Sequence, residues 1–110
     1  MERSVNVEIE YASNKMRKIL EDEFLIKKYY ANISVQLKNR LTELRAAHCL
    51  KDIPETPPPR RHKLKGDRSN QWGVSVSKNE RLIIQPIGDF DINDLNTIKF
   101  IKIISIEDYH

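Results

Sequence analysis

The chain has 110 residues, of which 39% are apolar and 32% charged, and its formal net charge is +3. This size predicts one domain over residues 1–110. No run of 18 apolar residues is present, and "MERSVNVEIE" lacks an apolar signal core, so we expect a cytoplasmic protein without a membrane span. The single cysteine, Cys49, is expected to be a small buried residue in a reducing compartment and not a catalytic thiol.

The first predicted elements are a strand and a helix. "VNVEIEY" (Val5–Tyr11) alternates apolar and polar residues, which is typical of a half-buried strand. "SNKMRKILEDEF" then changes to helical spacing, and Ser13 is suited to cap this first helix.

A second helix is predicted in "NISVQLKNRLTELRAAHCL", where the apolar residues form one stripe. Asn32 or Ser34 is expected to start it, and it is expected to end near His48–Leu50. Arg40 is among the polar residues expected to face solvent.

The second half of the chain is predicted to form strands. Pro57–Pro59 indicates an extended connector. Gln71–Pro86 has the pattern of a hairpin, with Asn79 expected at positive φ in its turn. "TIKFIKIISIEDYH" has apolar residues on both faces, so Ile103–Ile106 is expected to be a central strand paired on both sides. The sequence therefore predicts an α+β fold of two N-terminal helices packed on a mostly antiparallel sheet of four to five strands.

The charge is concentrated in one segment. Arg60 to Arg81 contains seven Lys or Arg residues against two acids, a net charge of +5, so the remaining residues carry −2. The segment also contains a histidine and the only tryptophan. A solvated face is the common explanation of such a charge block. A basic and partly aromatic surface is also typical of nucleic-acid binding, which is the interpretation we favour.

Several polar groups stand where chemistry is possible. They are His62 in the basic segment, Arg81 at the start of an apolar strand, and Asp108, Tyr109 and His110 after the last strand. A frayed tail is the simpler explanation of the last three. Together, however, these residue types can cleave a phosphodiester without a metal: a base deprotonates a ribose 2′-hydroxyl, cations stabilise the phosphorane, and an acid protonates the leaving oxygen. No cofactor or metal site is predicted, since phosphate-loop and zinc spacings are missing.

The stretch "HKLKGDRSNQWGVSVSKNERLII" with the ending "EDYH" resembles the HigB branch of the RelE/ParE toxin superfamily, over about half of the chain. Two features depart from that pattern: Lys63 stands where proline is common, and "PIGDFDINDLNTIK" lengthens the last hairpin. This insert and the triple proline resemble a subgroup often labelled "killer suppression protein". The residues nevertheless resemble the toxin and not the antitoxin, because no helix-turn-helix is evident.

The resemblance implies a toxin that enters the ribosomal A site and cuts mRNA, inhibiting translation. Its expected partners are the ribosome, mRNA and a cognate antitoxin, expected to be a helix-turn-helix protein encoded next to it. Residues that match the family's active site are His62, Asn79, Asp108, Tyr109 and His110. Basic residues expected at the phosphate or the RNA are Lys65 and Arg81, together with Arg60, Arg61, Lys63 and Arg68. If His110 is the last residue, its α-carboxylate would favour a protonated ring, which suits a general acid.

Alternatives remain open for several residues. Gly66, Asp67 and Arg68 are expected to have a structural role in a turn, with Asp67 capping it or pairing with Arg68. Trp72 is expected to be a core residue more than a stacking platform. Asn79 could serve only the turn. At the level of the whole chain, the competing hypotheses are a binding module without cleavage and, third, the gyrase-directed ParE branch.

Overall fold

The computed structural model describes residues 6–108, so Val5, Tyr109 and His110 lie outside the described residues. Three α-helices and five strands are assigned within this range. They are β1 (Glu8–Tyr11), α1 (Asn14–Leu20), α2 (Glu23–Tyr29), α3 (Ser34–Ala46), β2 (His62–Lys63), β3 (Trp72–Ser75), β4 (Glu80–Pro86) and β5 (Phe100–Asp108). The α+β prediction is confirmed, with one helix more than expected.

The additional helix arises because the first predicted helix is divided in two. Ser13 caps α1 as predicted, its hydroxyl accepting a hydrogen bond from the Met16 amide at 3.1 Å. Asp22 then starts a second helix, because its carboxylate accepts hydrogen bonds from the amides of Phe24 and Leu25 at 2.9 and 3.2 Å. A second strong N-cap inside the apolar pattern therefore turns the chain after Leu20.

Helix α3 starts at Ser34, one of the two predicted positions, and ends at Ala46, a little before the predicted end. The expectation that Arg40 faces solvent is wrong, since this side chain is buried beside Glu43. Arg40 follows Leu37 by three residues and precedes Leu44 by four, which places it on the apolar face of the helix. Its Nε lies 2.9 Å from a carboxylate oxygen of Glu43.

The five strands form one sheet in the order β1-β5-β4-β3-β2, in which β1 is parallel to β5 and the other pairs are antiparallel. Strand β5 is central in the predicted sense that it is paired on both sides, with β1 and β4, although β4 occupies the middle of the sheet. Its pairing with β1 covers Phe100 to Ile103, whereas its pairing with β4 continues to Asp108. The prediction of pairing on both sides over Ile103–Ile106 is therefore correct only at its first residue.

The two faces of the sheet differ in character. Leu82, Ile84 and Ile103 are fully buried in the core that the helices cover. The opposite face, called the outer face below, carries the alternate residues of the paired strands. By the register, its members on β2 to β5 include His62, Gly73, Ser75, Arg81, Ile83, Gln85, Lys102, Ser105 and Glu107.

An irregularity in the β4–β5 pairing decides which residues of β5 reach the outer face. Ile84 pairs with Ile103, but the preceding residue, Ile83, pairs with Ser105. Ile104 is therefore an extra residue on β5, a β-bulge that exchanges the two faces beyond it.

Two local predictions in the connections are wrong. Pro57–Pro59 forms a turn and not an extended connector: the Arg60 amide donates a 3.1 Å hydrogen bond to the Thr56 carbonyl. Asn79 does not have positive φ; among the described non-glycine residues that conformation belongs to Arg60, at φ 45°. The hydroxyl of Ser77 organises the hairpin turn instead, accepting hydrogen bonds from the amides of residues 79 and 80.

Candidate functional site

A cleft of about 300 Å³ opens at the β2 end of the outer face. Its lining residues are His62, Lys63, Leu64, Lys65, Arg68 and Arg81. Five of these six had been singled out from the sequence, and the fold brings them together from β2, the turn after it and β4. Lys63 directs its ammonium over the Trp72 ring, 5.6 Å from the ring centroid. The imidazole of His62 with the cationic residues Lys65, Arg68 and Arg81 is an arrangement that attracts and polarises a phosphate.

The orientation of His62 is set by the backbone just before it. The Nδ1 atom of its ring lies 2.9 Å from the carbonyl oxygen of Arg60. A carbonyl can only accept a hydrogen bond, so Nδ1 carries a proton and the other ring nitrogen, Nε2, is left for a substrate. The left-handed conformation of Arg60 is part of the loop that places this carbonyl. His62 is therefore held with Nε2 as its reactive nitrogen.

Gly73 provides the space in which the His62 ring lies. The two residues are cross-strand partners on β3 and β2. A methyl group added at Gly73 would lie 2.9 Å from Cε1 and 3.0 Å from Nε2 of His62, and 3.4 Å from Cδ of Arg81. Separations below 3.0 Å would force the ring to move, so the absence of a side chain at Gly73 keeps His62 low against the sheet and near Arg81.

Arg68 reaches across the outer face to the central strand. Its two terminal nitrogens donate hydrogen bonds to the two carboxylate oxygens of Glu107, at 3.1 and 2.8 Å. Its Nε donates to Gln71 at 3.1 Å, and the hydroxyl of Ser105 donates to Glu107 at 2.8 Å. Because three hydrogen bonds hold the guanidinium plane, Arg68 has a fixed position at the edge of the cleft.

The charge states of this pair follow from its geometry. Hydrogen bonding from Arg68, aided by that from Ser105 and by the charge of Arg81, lowers the pKa of Glu107 below its ordinary value. The hydrogen bond to Glu107 raises the pKa of Arg68 in turn. Glu107 is therefore a carboxylate at neutral pH and is unsuited to donate a proton there.

Some residues singled out from the sequence lie elsewhere. Asp108 pairs with Glu80 on the helix-facing side of the sheet, where it lines a separate cleft of about 420 Å³ with Tyr30 and Ile106. Asn79 is exposed in the hairpin turn.

The two arginines before His62 also lie outside the lining of the cleft. Arg61 is buried and donates a 2.7 Å hydrogen bond from Nε to the Ile53 carbonyl, which makes it a support of the proline turn. The Arg60 side chain is exposed, and its carbonyl orients His62.

Structural roles were anticipated correctly for three residues. Trp72 and Cys49 are buried, and Gly66 starts a turn at φ 69°. Arg68 pairs with Glu107 on a distant strand and not with its neighbour Asp67 as had been considered. Glu107 and Gly73 were not identified from the sequence; they are the cross-strand partners of Arg81 and His62, a relationship that only the strand register reveals.

Residues 6–108 contain no group of three or more His, Cys, Asp or Glu side chains placed to hold a metal ion. In the same range no helix has the length and apolar character needed to cross a membrane.

Comparison with solved structures identifies the fold. A YoeB/ParE toxin from Agrobacterium tumefaciens superposes with a TM-score of 0.56 and 12% identity, over 94% of this chain and 99% of that one. YafQ in the E. coli DinJ–YafQ toxin–antitoxin complex gives a TM-score of 0.58 and 17% identity, over 94% and 93%. The YoeB–YefM complex from Staphylococcus aureus gives 0.51 and 17%, over 96% and 99%.

The chain has a RelE-like toxin fold. The predicted fold class is thereby confirmed over nearly the whole chain. No protein-family model matches the sequence, and no curated protein matches it. At 12 to 17% sequence identity, the similarity establishes the fold alone. The function of the cleft therefore has to be argued from the side chains that line it.

Proposed function

We propose that this chain is the toxin of a type II toxin–antitoxin module and that it cleaves mRNA on the ribosome. The observation that supports the proposal is the cleft on the outer face, which His62, with its Nδ1 on the Arg60 carbonyl, lines together with Lys65, Arg68 and Arg81. The fold shared with YoeB and YafQ toxins is consistent with it. The HigB-like sequence pattern adds the finer assignment within the superfamily.

The proposed reaction uses the cleft as a phosphate site. The scissile phosphate lies between Arg68 and Arg81, whose guanidinium groups stabilise the additional negative charge of the phosphorane. The ribose 2′-oxygen attacks the adjacent phosphorus while a base removes its proton, the bond from phosphorus to the 5′-oxygen breaks, and an acid protonates that oxygen. The products are a 2′,3′-cyclic phosphate and a 5′-hydroxyl.

His62 takes one of the two proton-transfer roles, because it lines the cleft and its Nδ1–H is engaged by the Arg60 carbonyl, which leaves Nε2 as the nitrogen for proton transfer. Tyr109 and His110, which lie outside the described residues, are the candidates for the second role. Asp108 faces the helical side of the sheet, so the proposal assigns it no proton transfer.

The proposed partners are the ribosome with its mRNA and an antitoxin encoded by a neighbouring gene. Positive charge around the cleft suits rRNA and mRNA phosphates. An antitoxin is proposed from the DinJ–YafQ toxin–antitoxin complex, one of the structures that share this fold.

The decisive test is cleavage of mRNA by the purified protein, with and without programmed ribosomes, followed by mapping of the new 5′ ends. We expect cleavage only with ribosomes and 5′-hydroxyl ends. Cleavage of naked RNA at a similar rate would overturn the ribosome dependence. Binding to ribosomes without any cleavage would favour the alternative, a binding module with the same fold.

A matched in vivo arm uses induction of the protein in cells. Growth arrest should be relieved by His62→Ala and by co-expression of the neighbouring gene. If His62→Ala arrests growth as strongly as the wild type, the assignment of His62 fails.

A further inference from the structure

We propose that Glu107 is a positioning residue, which aligns Arg68 for phosphate and thereby sets the cleavage rate; this inference rests on the proposed function. An acidic residue beside a phosphate site is unexpected, because it repels the substrate. The hydrogen bonds between Glu107 and Arg68 indicate why a carboxylate is nevertheless useful there.

Glu107 uses only one side of the Arg68 guanidinium. A guanidinium has five N–H donors. Two of those of Arg68 are directed to the Glu107 carboxylate and one, from Nε, to Gln71. One N–H on each terminal nitrogen therefore remains, on opposite flanks of the guanidinium, and either can donate to a phosphate while the pair stays intact. Glu107 holds the plane of the guanidinium and leaves donors available, so it does not have to be displaced when RNA binds.

The position of Glu107 in the sheet also relates it to the second arginine of the cleft. Arg81 is the cross-strand partner of Glu107 on β4, and its charge contributes to keeping the carboxylate ionised. One carboxylate thus pairs with Arg68 and neighbours Arg81 across the strands, and its charge offsets the repulsion between the two arginines. With Ser105 donating to it, Glu107 is itself oriented from the central strand.

The Arg68–Glu107 pair is too exposed to solvent for a contribution to stability to explain its presence. The side chains of Arg68 and Glu107 are 37% and 32% exposed, and an ion pair this open to solvent adds little to stability. Its value lies in geometry, because a misplacement of about 1 Å in a group that contacts the reacting atoms can lower a rate about 100-fold.

The test compares Glu107→Gln, which keeps the shape and removes the charge, with Glu21→Gln as the control. Glu21 also forms an ion pair, with Arg17 on α1 at 3.3 Å, and its side chain is 48% exposed. Both variants lose one negative charge, but Glu21 lies outside the lining of the cleft. Single-turnover cleavage on programmed ribosomes and RNA affinity by fluorescence anisotropy are measured for each.

We expect Glu107→Gln to slow single-turnover cleavage by about 10- to 100-fold while RNA binds equally well or more tightly, and Glu21→Gln to cleave at the wild-type rate. Arg68→Lys keeps the positive charge but loses the bidentate hydrogen bonds to Glu107, so its single-turnover rate should fall by a similar factor. The double variant should be no slower than either single variant. If Glu107→Gln fails to fold, Ser105→Ala takes its place, because it removes the hydrogen bond that orients Glu107 and leaves Arg68 unchanged; a wild-type rate there would then count against the inference.

Two outcomes overturn the inference. A wild-type rate for folded Glu107→Gln would mean that the alignment of Arg68 is irrelevant to cleavage. A faster rate would mean that Glu107 obstructs the phosphate site.

An additional measurement separates this inference from the proposed function. NMR relaxation of the Arg68 Nε–H group reports whether its side chain is fixed, and it needs no activity. We expect ordered Arg68 in the wild type and mobile Arg68 in Glu107→Gln. An inactive wild type with that difference would refute the proposed function alone, whereas equal order in both proteins would refute the positioning role.

Discussion

The imidazole of His62 lies against the Cα of Gly73, so closely that a methyl group at Gly73 would be 2.9 Å from its Cε1. The contact joins the short edge strand β2 to β3 at the cleft. It explains why a glycine stands in the middle of a strand, where it otherwise weakens the strand. His62 can occupy this position only because residue 73 has no side chain.

Gly73→Ala is expected to lower cleavage while the protein stays folded. The added methyl displaces the His62 ring, and proton transfer requires its Nε2 within about 3 Å of the substrate oxygen. We expect a loss of about 10-fold or more in single-turnover rate, with the circular dichroism spectrum unchanged.

A double-mutant cycle supplies the control for that variant. In a His62→Ala background the methyl at Gly73 has no ring to displace, so Gly73→Ala should cause no further loss of rate. Equal effects of Gly73→Ala with and without the His62 ring would show that the glycine acts through the sheet and not through the histidine.

His62→Ala is expected to lower the cleavage rate by about 10²- to 10⁴-fold, the usual loss when one proton-transfer group is removed. The exposed His48, two residues after the end of α3, offers a matched control, and His48→Ala should cleave normally. The measurement is the single-turnover rate on programmed ribosomes across pH. A wild-type rate in His62→Ala would remove the histidine from the mechanism.

Lys65→Gln should weaken RNA binding and make it less sensitive to salt. Lys65 lines the cleft, and each phosphate contact that is lost lowers the slope of log affinity against log salt concentration by about 0.7 for single-stranded RNA. Anisotropy titrations between low and moderate salt would measure this slope. Lys18→Gln, an exposed charge on α1, should leave the slope nearly unchanged; if both variants shift it equally, binding is not localised to the cleft.

The Arg68–Glu107 pair predicts a particular dependence of stability on pH. The pKa of Glu107 is lower in the folded protein, so its contribution to stability is fully present above the ordinary glutamate pKa of about 4.3 and is lost as pH falls through the folded-state pKa. We expect the free energies of unfolding of the wild type and Glu107→Gln to differ by at most about 1 kcal/mol at neutral pH. That difference should shrink below about pH 4 in urea titrations. A difference that grows in acid would contradict the lowered pKa.

Much of the fold followed from the sequence, because the responsible signals are local. The alternation in "QWGVSV" and "RLIIQP" predicted the β3–β4 hairpin, and the apolar stripe predicted α3. The long apolar run near the end of the chain predicted the central strand β5. The basic segment and His62 were also identified, since charge and residue type are visible without coordinates.

What only the tertiary structure decided is which side chains share the outer face. Strict alternation along β5 from Ile103 would have placed Ile104, Ile106 and Asp108 there. The bulge at Ile104 reverses this, so Ser105 and Glu107 share the outer face with His62 while Asp108 turns to the helical side. The reason is physical: in a sheet of period two, one extra residue exchanges the two faces for the rest of the strand, and periodicity in the sequence alone does not reveal where that residue is inserted.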